Sequence, residues 1–175
     1  DGNLKVAHCN NAACTSATVT TLENNVGFNG SAVTLGGDGK GLIAYFDGNT
    51  NDLKVAHCEN VICTSATSAT IESVGDVGRD PSIVAGTDGL GLISYIDSTN
   101  QSLKVAHCDD ASCSSATISV LDSTLSQSTF VNIGSDGLGL ISYHGGGDLK
   151  VAHCDNASCT SASARILHKG GTGSW

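Results

Sequence analysis

The hydrophobic residues of this chain fall into short runs of four to eight residues, each bounded by Gly, Asn, Asp or Ser. The runs are rich in β-branched residues, and no stretch keeps an apolar pattern of helical period, so they indicate strands rather than helices. The runs recur in a fixed order along the chain. We label the four kinds of segment A, B, C and D.

Segments A and B are predicted to form a β-hairpin. Segment A ends in Gly-x-Asp-Gly, and an Asp-Gly pair between two apolar runs is typical of a tight hairpin turn. The aspartates of these turns, Asp38, Asp88 and Asp136, are expected to cap backbone amides. The copies of segment A are Val33–Gly36, Ile83–Gly86 and Val131–Gly134. The copies of segment B are Gly41–Tyr45, Gly91–Tyr95 and Gly139–Tyr143.

Segment C is the sequence Leu-Lys-Val-Ala-His-Cys, which occurs four times with spacings of 49, 50 and 46 residues. Segment D starts at a second cysteine and runs to an aliphatic residue. A period of this size predicts an array of supersecondary units. The copies of segment C are Leu4–Cys9, Leu53–Cys58, Leu103–Cys108 and Leu149–Cys154. The copies of segment D are Cys14–Leu22, Cys63–Ile71, Cys113–Leu121 and Cys159–Leu167.

Four antiparallel strands in a unit of about 50 residues are typical of a β-propeller blade. The sequence therefore predicts an all-β, β-propeller-like array of four-stranded antiparallel blades, with about 3.5 repeats of 46–50 residues. The chain begins with segments C and D alone, so we expect upstream sequence or a neighbouring chain to complete the array. Within one repeat domain, 1–175, the expected units are a half-blade at 1–24, blades at 25–73, 74–123 and 124–168, and a tail at 169–175.

Eight cysteines in four evenly repeated pairs predict disulfides and an oxidising compartment. A disulfide across a short polar loop between two strands is geometrically easy. Zinc binding together with the histidines of segment C is less favoured, because structural zinc sites use four ligands and usually tighter cysteine spacing. The predicted disulfides are Cys9–Cys14, Cys58–Cys63, Cys108–Cys113 and Cys154–Cys159. The histidines concerned are His8, His57, His107 and His153.

The net charge of −9, with only eight basic residues, argues against a nucleic-acid partner. No apolar run is long enough to cross a bilayer, so no membrane insertion is predicted. The chain contains no methionine and no signal peptide, and we expect a processed mature chain or a piece of a longer one. Together with the disulfides, this predicts a secreted protein, extracellular or on the cell surface.

Two further kinds of site are indicated by short motifs. Alternating oxygen ligands after the first segment B suggest a calcium loop, although the later units do not keep the pattern. No other cofactor is predicted. The candidate calcium ligands are Asp47, Asn49, Asn51 and Asp52. Three Asn-x-Ser sequons, at Asn29, Asn100 and Asn156, are candidate glycosylation sites and would make the chain a glycoprotein.

The combination Gly-Leu-x-Leu-Ile-Ser-Tyr-x-Asp with Leu-Lys-Val-Ala-His-Cys-x4-Cys resembles a repeat of large secreted bacterial proteins of unknown function. Those repeats are similar in length and strand order to the blades of sialidase-type propellers. The resemblance covers Leu4 to Leu167 and implies a propeller fold. The Asp-box of sialidases (Ser-x-Asp-x-Gly-x-Thr-Trp) is not present, and only two arginines exist, Arg79 and Arg165, so the resemblance does not imply sialidase activity.

No repeat carries a distinct acid, base or nucleophile, and the sequence therefore predicts no catalytic residue and no enzymatic activity. Near-identical repeats, the half-unit at the start and an acidic, Ser/Thr-rich composition favour a structural or adhesive protein in a homo-oligomer or a head-to-tail fibre. The alternative is a glycan-binding, lectin-like propeller module. Its difficulty is that the repeated aromatic residues, Tyr45, Tyr95 and Tyr143, lie in an apolar segment where core packing is expected.

Overall fold

The computed structural model describes residues 2–27, 30–124 and 126–170, and it contains fourteen β-strands in chain order. No helix occurs in these ranges, so none of the described residues belongs to a helix that could cross a membrane. The strands of the first two sheets are β1 (Leu4–Cys9), β2 (Ala17–Glu23), β3 (Ser31–Leu35), β4 (Gly41–Asp47), β5 (Asp52–Cys58) and β6 (Ala66–Glu72). The others are β7 (Val77–Ala85), β8 (Gly91–Asp97), β9 (Ser102–Cys108), β10 (Ala116–Asp122), β11 (Ser126–Ile133), β12 (Gly139–Gly145), β13 (Asp148–Cys154) and β14 (Ala162–His168).

The strands form three four-stranded sheets and one two-stranded sheet, all antiparallel and all in sequence order. We call β3–β6, β7–β10 and β11–β14 blades 1, 2 and 3, and the pair β1–β2 the half-blade. The first strand of each blade lies on the inside of the array, where β7 packs against both β3 and β11. The predicted all-β, propeller-like array of four-stranded blades is confirmed.

The largest differences from the sequence prediction are at the starts of segments D and A. Segment D was expected to start at its cysteine, but each strand starts three residues later, as at Ala17. The reason is that these cysteines adopt left-handed backbone conformations, such as φ 51° at Cys14, and therefore belong to the turn. Segment A is longer than expected in blades 2 and 3, where β7 reaches back to Val77 and β11 to Ser126, each through irregular pairing with the second strand of its blade.

Neighbouring blades share their cores through the second strand of each blade. An added Cβ at Gly91 of β8 would lie 2.8 Å from the sulfur of Cys108 and 2.8 Å from a methyl group of Leu42 in blade 1. An added Cβ at Gly139 would be equally close to the sulfur of Cys154 and to a methyl group of Leu92 in blade 2. The first residue of segment B in blades 2 and 3 must therefore be glycine, because the disulfide of its own blade and a leucine of the preceding blade leave no space for a side chain.

Candidate functional site

An acidic residue at the end of the outer strands β2, β6 and β10 joins each unit to the blade that follows it. The carboxylate of Glu72, on β6, accepts hydrogen bonds from the Tyr95 hydroxyl at 2.5 Å and from the Lys104 ammonium at 2.5 Å, both in blade 2. Asp122 binds Tyr143 at 2.7 Å and Lys150 at 2.9 Å, and Glu23 of the half-blade contacts Tyr45 and Lys54 in blade 1. In all three clusters the lysine of segment C therefore binds a carboxylate of the neighbouring unit.

Burial and hydrogen bonding set the charge state of these clusters. Burial raises the pKa of Tyr45 to about 12, and its hydrogen bond to Glu23 acts in the same direction. For Asp122, burial alone would raise the pKa, but hydrogen bonds from Lys150 and Tyr143 outweigh it and lower the pKa to about 2. Near neutral pH, Tyr45 is therefore neutral and the carboxylate of Asp122 is ionised. The three tyrosines are buried in the core, as predicted.

The histidines of segment C bind the aspartates of the A–B turns. The Nε2 atom of His57 lies 2.9 Å from Asp38, His107 lies 2.9 Å from Asp88, and His153 lies 2.7 Å from Asp136. The other oxygen of each aspartate accepts from a turn amide, as Asp38 does from Lys40 at 3.0 Å. The predicted capping role is confirmed, and the carboxylate also fixes the third strand to the turn.

All four predicted disulfides are present, and they indicate an oxidising environment. The disulfides of the three complete blades are buried, for example Cys108–Cys113 at 0% exposure for both residues. The half-blade disulfide, Cys9–Cys14, is exposed. The difference arises because the second strand of each complete blade covers the disulfide, and the half-blade has no such strand in the described chain.

The candidate calcium ligands lie in the β4–β5 turn and its flanks. Asp47 accepts from the backbone amide of Asn49 at 3.0 Å, and its second oxygen lies 3.2 Å from the Lys54 ammonium. Asn51 has a left-handed φ of 61°. Among the described residues, no group of three or more His, Cys, Asp or Glu side chains could hold a metal ion. Calcium binding by this loop stays a prediction.

Two of the three candidate glycosylation sites lie in the described chain. Asn100 donates to Asp97 at 2.8 Å, and Asn156 donates to Thr160 at 2.9 Å, so both side-chain amides stabilise turns. Asn29 lies outside the described residues. Glycosylation stays a prediction.

A hollow of about 320 Å³ lies between the half-blade and blade 1. Its walls are formed by Leu4 and Lys5 of β1 on one side and by Ser31, Tyr45 and Phe46 of blade 1 on the other. In the complete blades, this position is occupied by the second strand of the preceding blade, as β4 packs on β7. The hollow therefore lies where a complete blade has its inner hairpin, and no strand of the described residues fills it.

The start of β7 is the place where the chain departs from its own repeat. Arg79 makes a bidentate ion pair with Asp76, at 2.7 and 2.8 Å, and its guanidinium lies 4.7 Å from the centre of the Phe46 ring. Hydrogen bonds to Asp76 raise the pKa of Arg79, and they outweigh the opposing effect of burial. The adjacent Asp80 is exposed and has a left-handed φ of 48°. We call Asp76, Arg79 and Asp80 the inner-strand cluster.

The inner-strand cluster was missed by the sequence analysis, which searched the repeated positions. The equivalent residues of β11 are Gln127 and Ser128, as the pairing of Arg79 with Ile96 and of Gln127 with His144 shows. Ser128 shares the left-handed backbone, with φ 47°, but carries no charge. The sequence did contain a signal for this cluster. Arg79 and Asp80 are charged at positions where the other units carry uncharged residues. Left-handed, irregularly paired residues at strand starts recur at functional sites, because they redirect a side chain.

Comparison with known proteins gives structural neighbours only. No family model matches the chain, and no curated protein matches it. A Dyadobacter fermentans protein of unknown function has a TM-score of 0.64 at 16% identity, over 83% of this chain and 43% of its own. A family 43 β-1,3-galactosidase has a TM-score of 0.60 at 11% identity, over 79% and 31%. A Phanerochaete chrysosporium exo-β-1,3-galactanase, solved with β-1,3-galactotriose, has a TM-score of 0.57 at 14% identity, over 85% and 36%.

The chain therefore spans less than half the length of these neighbours, and at this identity the likeness shows the fold alone. It nevertheless corrects the prediction of a non-enzymatic structural or adhesive protein. That prediction assumed a repeat array without chemistry, whereas glycoside hydrolases share this arrangement of blades. The prediction that the chain is not an enzyme is corrected for the same reason. The glycan-binding alternative agrees better with the neighbours.

Proposed function

We propose that this chain is the glycan-recognising part of a propeller protein and that it binds oligosaccharide at the inner-strand cluster. One observation carries the proposal. The repeated polar residues of the complete blades are engaged in contacts between or within blades, whereas the inner-strand cluster is charged, non-repeated and partly open to solvent. Function in a repeat protein is expected where one unit departs from the structural consensus.

The cluster has the groups that sugar recognition requires. The exposed carboxylate of Asp80 accepts hydrogen bonds from vicinal hydroxyls, and the planar guanidinium of Arg79 donates them. Asp76 and Phe46 hold that guanidinium in place, which reduces the entropy lost on binding. Pro81 follows directly and is buried, so the backbone that carries Asp80 is restrained. The disulfides support our further proposal that the protein is secreted and acts outside the cell.

The test is calorimetric titration of the whole chain with β-1,3-galactotriose and with arabino-oligosaccharides. Asp80→Asn removes the charge but suits the left-handed backbone, because asparagine tolerates it. We expect Asp80→Asn to weaken binding about tenfold or more, as for loss of a charged hydrogen bond. Asp155→Asn, an exposed carboxylate in the loop after β13, is the matched control and should bind like the unmodified chain.

Absence of binding to every oligosaccharide would refute the proposal, and so would equal affinity of Asp80→Asn and the unmodified chain. The same samples are assayed for new reducing ends. Release of sugar would show that the chain turns over its ligand, and loss of that release in Asp80→Asn alone would place the reaction at the cluster.

A further inference from the structure

We propose that the inner edge of β1, together with the hollow beside it, is a docking site for one further A–B hairpin of this repeat. The first argument is that one sequence, Leu-Lys-Val-Ala-His-Cys, occurs in two settings. In β5 it is covered by β4, and Ala56 and Cys58 are 0% and 1% exposed. In β1 the equivalent Ala7 and Cys9 are exposed, since within the described chain β1 pairs with β2 alone.

The second argument concerns β3, the inner strand of blade 1, whose first residue Ser31 lines the hollow. Ile83 and Val131, on the inner strands of blades 2 and 3, are 7% and 2% exposed. They are covered by Leu42 and Leu92, which belong to the second strand of the preceding blade. Val33, at the same position of blade 1, is 62% exposed. The inner strand of blade 1 therefore presents an apolar residue, Val33, that no leucine of a preceding second strand covers among the described residues.

The two edges of the site specify the chemistry of its occupant. In blades 1 to 3, the histidine of the third strand binds the aspartate of the A–B turn, at 2.7–2.9 Å. The equivalent histidine of β1 is His8, so the occupant carries an aspartate in its turn. A glycine must face Cys9, because a Cβ at the equivalent Gly41 would lie 2.8 Å from Cys58. A leucine next to that glycine covers Val33, as Leu42 covers Ile83.

These requirements define a hairpin of the form Gly-x-Asp-Gly-x-Gly-Leu, which is the A–B pattern of this repeat. Main-chain pairing along the β1 edge supplies most of the affinity, and the side-chain positions supply the specificity. The occupant is therefore a partner segment that carries one more A–B unit. The inference does not depend on the proposed function, because the inner-strand cluster is not part of the β1 edge.

The test adds a synthetic peptide with the sequence of residues 77–97, which spans β7 and β8, to the whole chain. Binding is measured by calorimetry, and protection of the site is measured as the rate at which a water-soluble reductant opens Cys9–Cys14. We expect one peptide per chain and a reduction rate lowered about tenfold at saturation, because the exposed disulfide becomes covered. A peptide with Gly91→Val is the matched control, since its side chain would collide with Cys9.

A double-mutant comparison tests the predicted His–Asp contact. A peptide with Asp88→Asn should bind about tenfold more weakly, as expected for a lost charged hydrogen bond. In the His8→Ala chain, the two peptides should bind with equal affinity, because the partner of the aspartate is gone. The proposal is refuted if no peptide binds or if the Gly91→Val peptide binds equally well. It is also refuted if Cys9–Cys14 becomes protected without peptide as the chain is concentrated, because a second copy would then be the occupant.

Discussion

Glu23 Oε1 lies 2.6 Å from the Nζ atom of Lys54, although the two residues belong to different sheets. The contact recurs between Glu72 and Lys104 and between Asp122 and Lys150, so β2, β6 and β10 are each bonded to the blade that follows. The series ends at β14, where His168 takes the place of the acid. A further blade of the same kind would lack this contact at β14.

The first prediction tests this contact by Glu72→Ala. The carboxylate is largely buried and bonded to both Tyr95 and Lys104, and its removal leaves a buried ammonium with fewer partners. Breaking a buried ion pair in this way costs about 3 kcal/mol of unfolding free energy. Urea unfolding measures the loss. Glu59→Ala, which removes an exposed carboxylate bonded to Ser65, should change the free energy by less than about 0.5 kcal/mol. Equal losses for the two variants would contradict the prediction.

The second prediction concerns acid stability and Asp122. Its pKa is lowered from 3.8 to about 2 in the folded chain, with hydrogen bonds from Lys150 and Tyr143 overcoming the opposing effect of burial. A carboxyl whose pKa is depressed by folding stabilises the protein above its unfolded pKa, and this contribution is lost as the pH falls towards its folded pKa. Between pH 4 and pH 2 the chain should therefore lose about 1 kcal/mol through this residue, after allowance for solvent screening.

The measurement is the unfolding free energy of Asp122→Asn and of the unmodified chain from pH 7 to pH 2. The variant should be less stable at pH 7, and the difference should shrink as the pH falls from 4 to 2. Asp155→Asn provides the control, because its exposed carboxylate accepts hydrogen bonds from the hydroxyl groups of Ser161 and Ser163 and does not contact a lysine of the described chain. A constant difference across this range would show that ionisation of Asp122 does not contribute.

The third prediction separates close packing from backbone strain at two glycines. Gly91→Ala places a Cβ 2.8 Å from the Cys108 sulfur and 2.8 Å from Leu42, so overpacking should cost about 3 kcal/mol. Gly39→Ala has no atom within 4 Å of the new Cβ but must adopt a φ of +76°, which costs about 1 kcal/mol. Thermal and urea unfolding of both variants measure these costs. A larger loss for Gly39→Ala than for Gly91→Ala would overturn the packing argument.

The fold was largely predictable because its determinants are local. The Asp-Gly turns, the cysteine spacing and the order of apolar segments each act within one unit, so a repeat analysis detects them. The His–Asp contacts were less obvious, since each joins a turn to a strand two elements away. Both residues recur in every complete unit, as His57 and Asp38 do, and that shared recurrence was a usable signal.

The contacts between blades and the inner-strand cluster could not be derived in the same way. Glu72 belongs to one unit, while Tyr95 and Lys104 belong to the next. Comparing the units with one another shows which residues recur but does not show which residues of two different units are in contact. Arg79 and Asp80 are invisible to a search for repeated residues because they do not repeat. The position of Arg79 beside Phe46 depends on how blade 1 packs against blade 2, which is a tertiary property.

The fourth prediction is that the disulfides are reduced in a defined order. Reduction requires a thiolate to reach a sulfur atom, so accessibility controls its rate in the folded chain. Cys9–Cys14 is exposed, whereas Cys108–Cys113 is fully buried, and the first should open about tenfold faster or more. Alkylation during limited reduction, followed by peptide mapping, measures the order. In urea the four rates should become similar, because all four loops have the same sequence separation of 5. Equal rates in the folded chain would show that the second strand of each blade does not shield its disulfide.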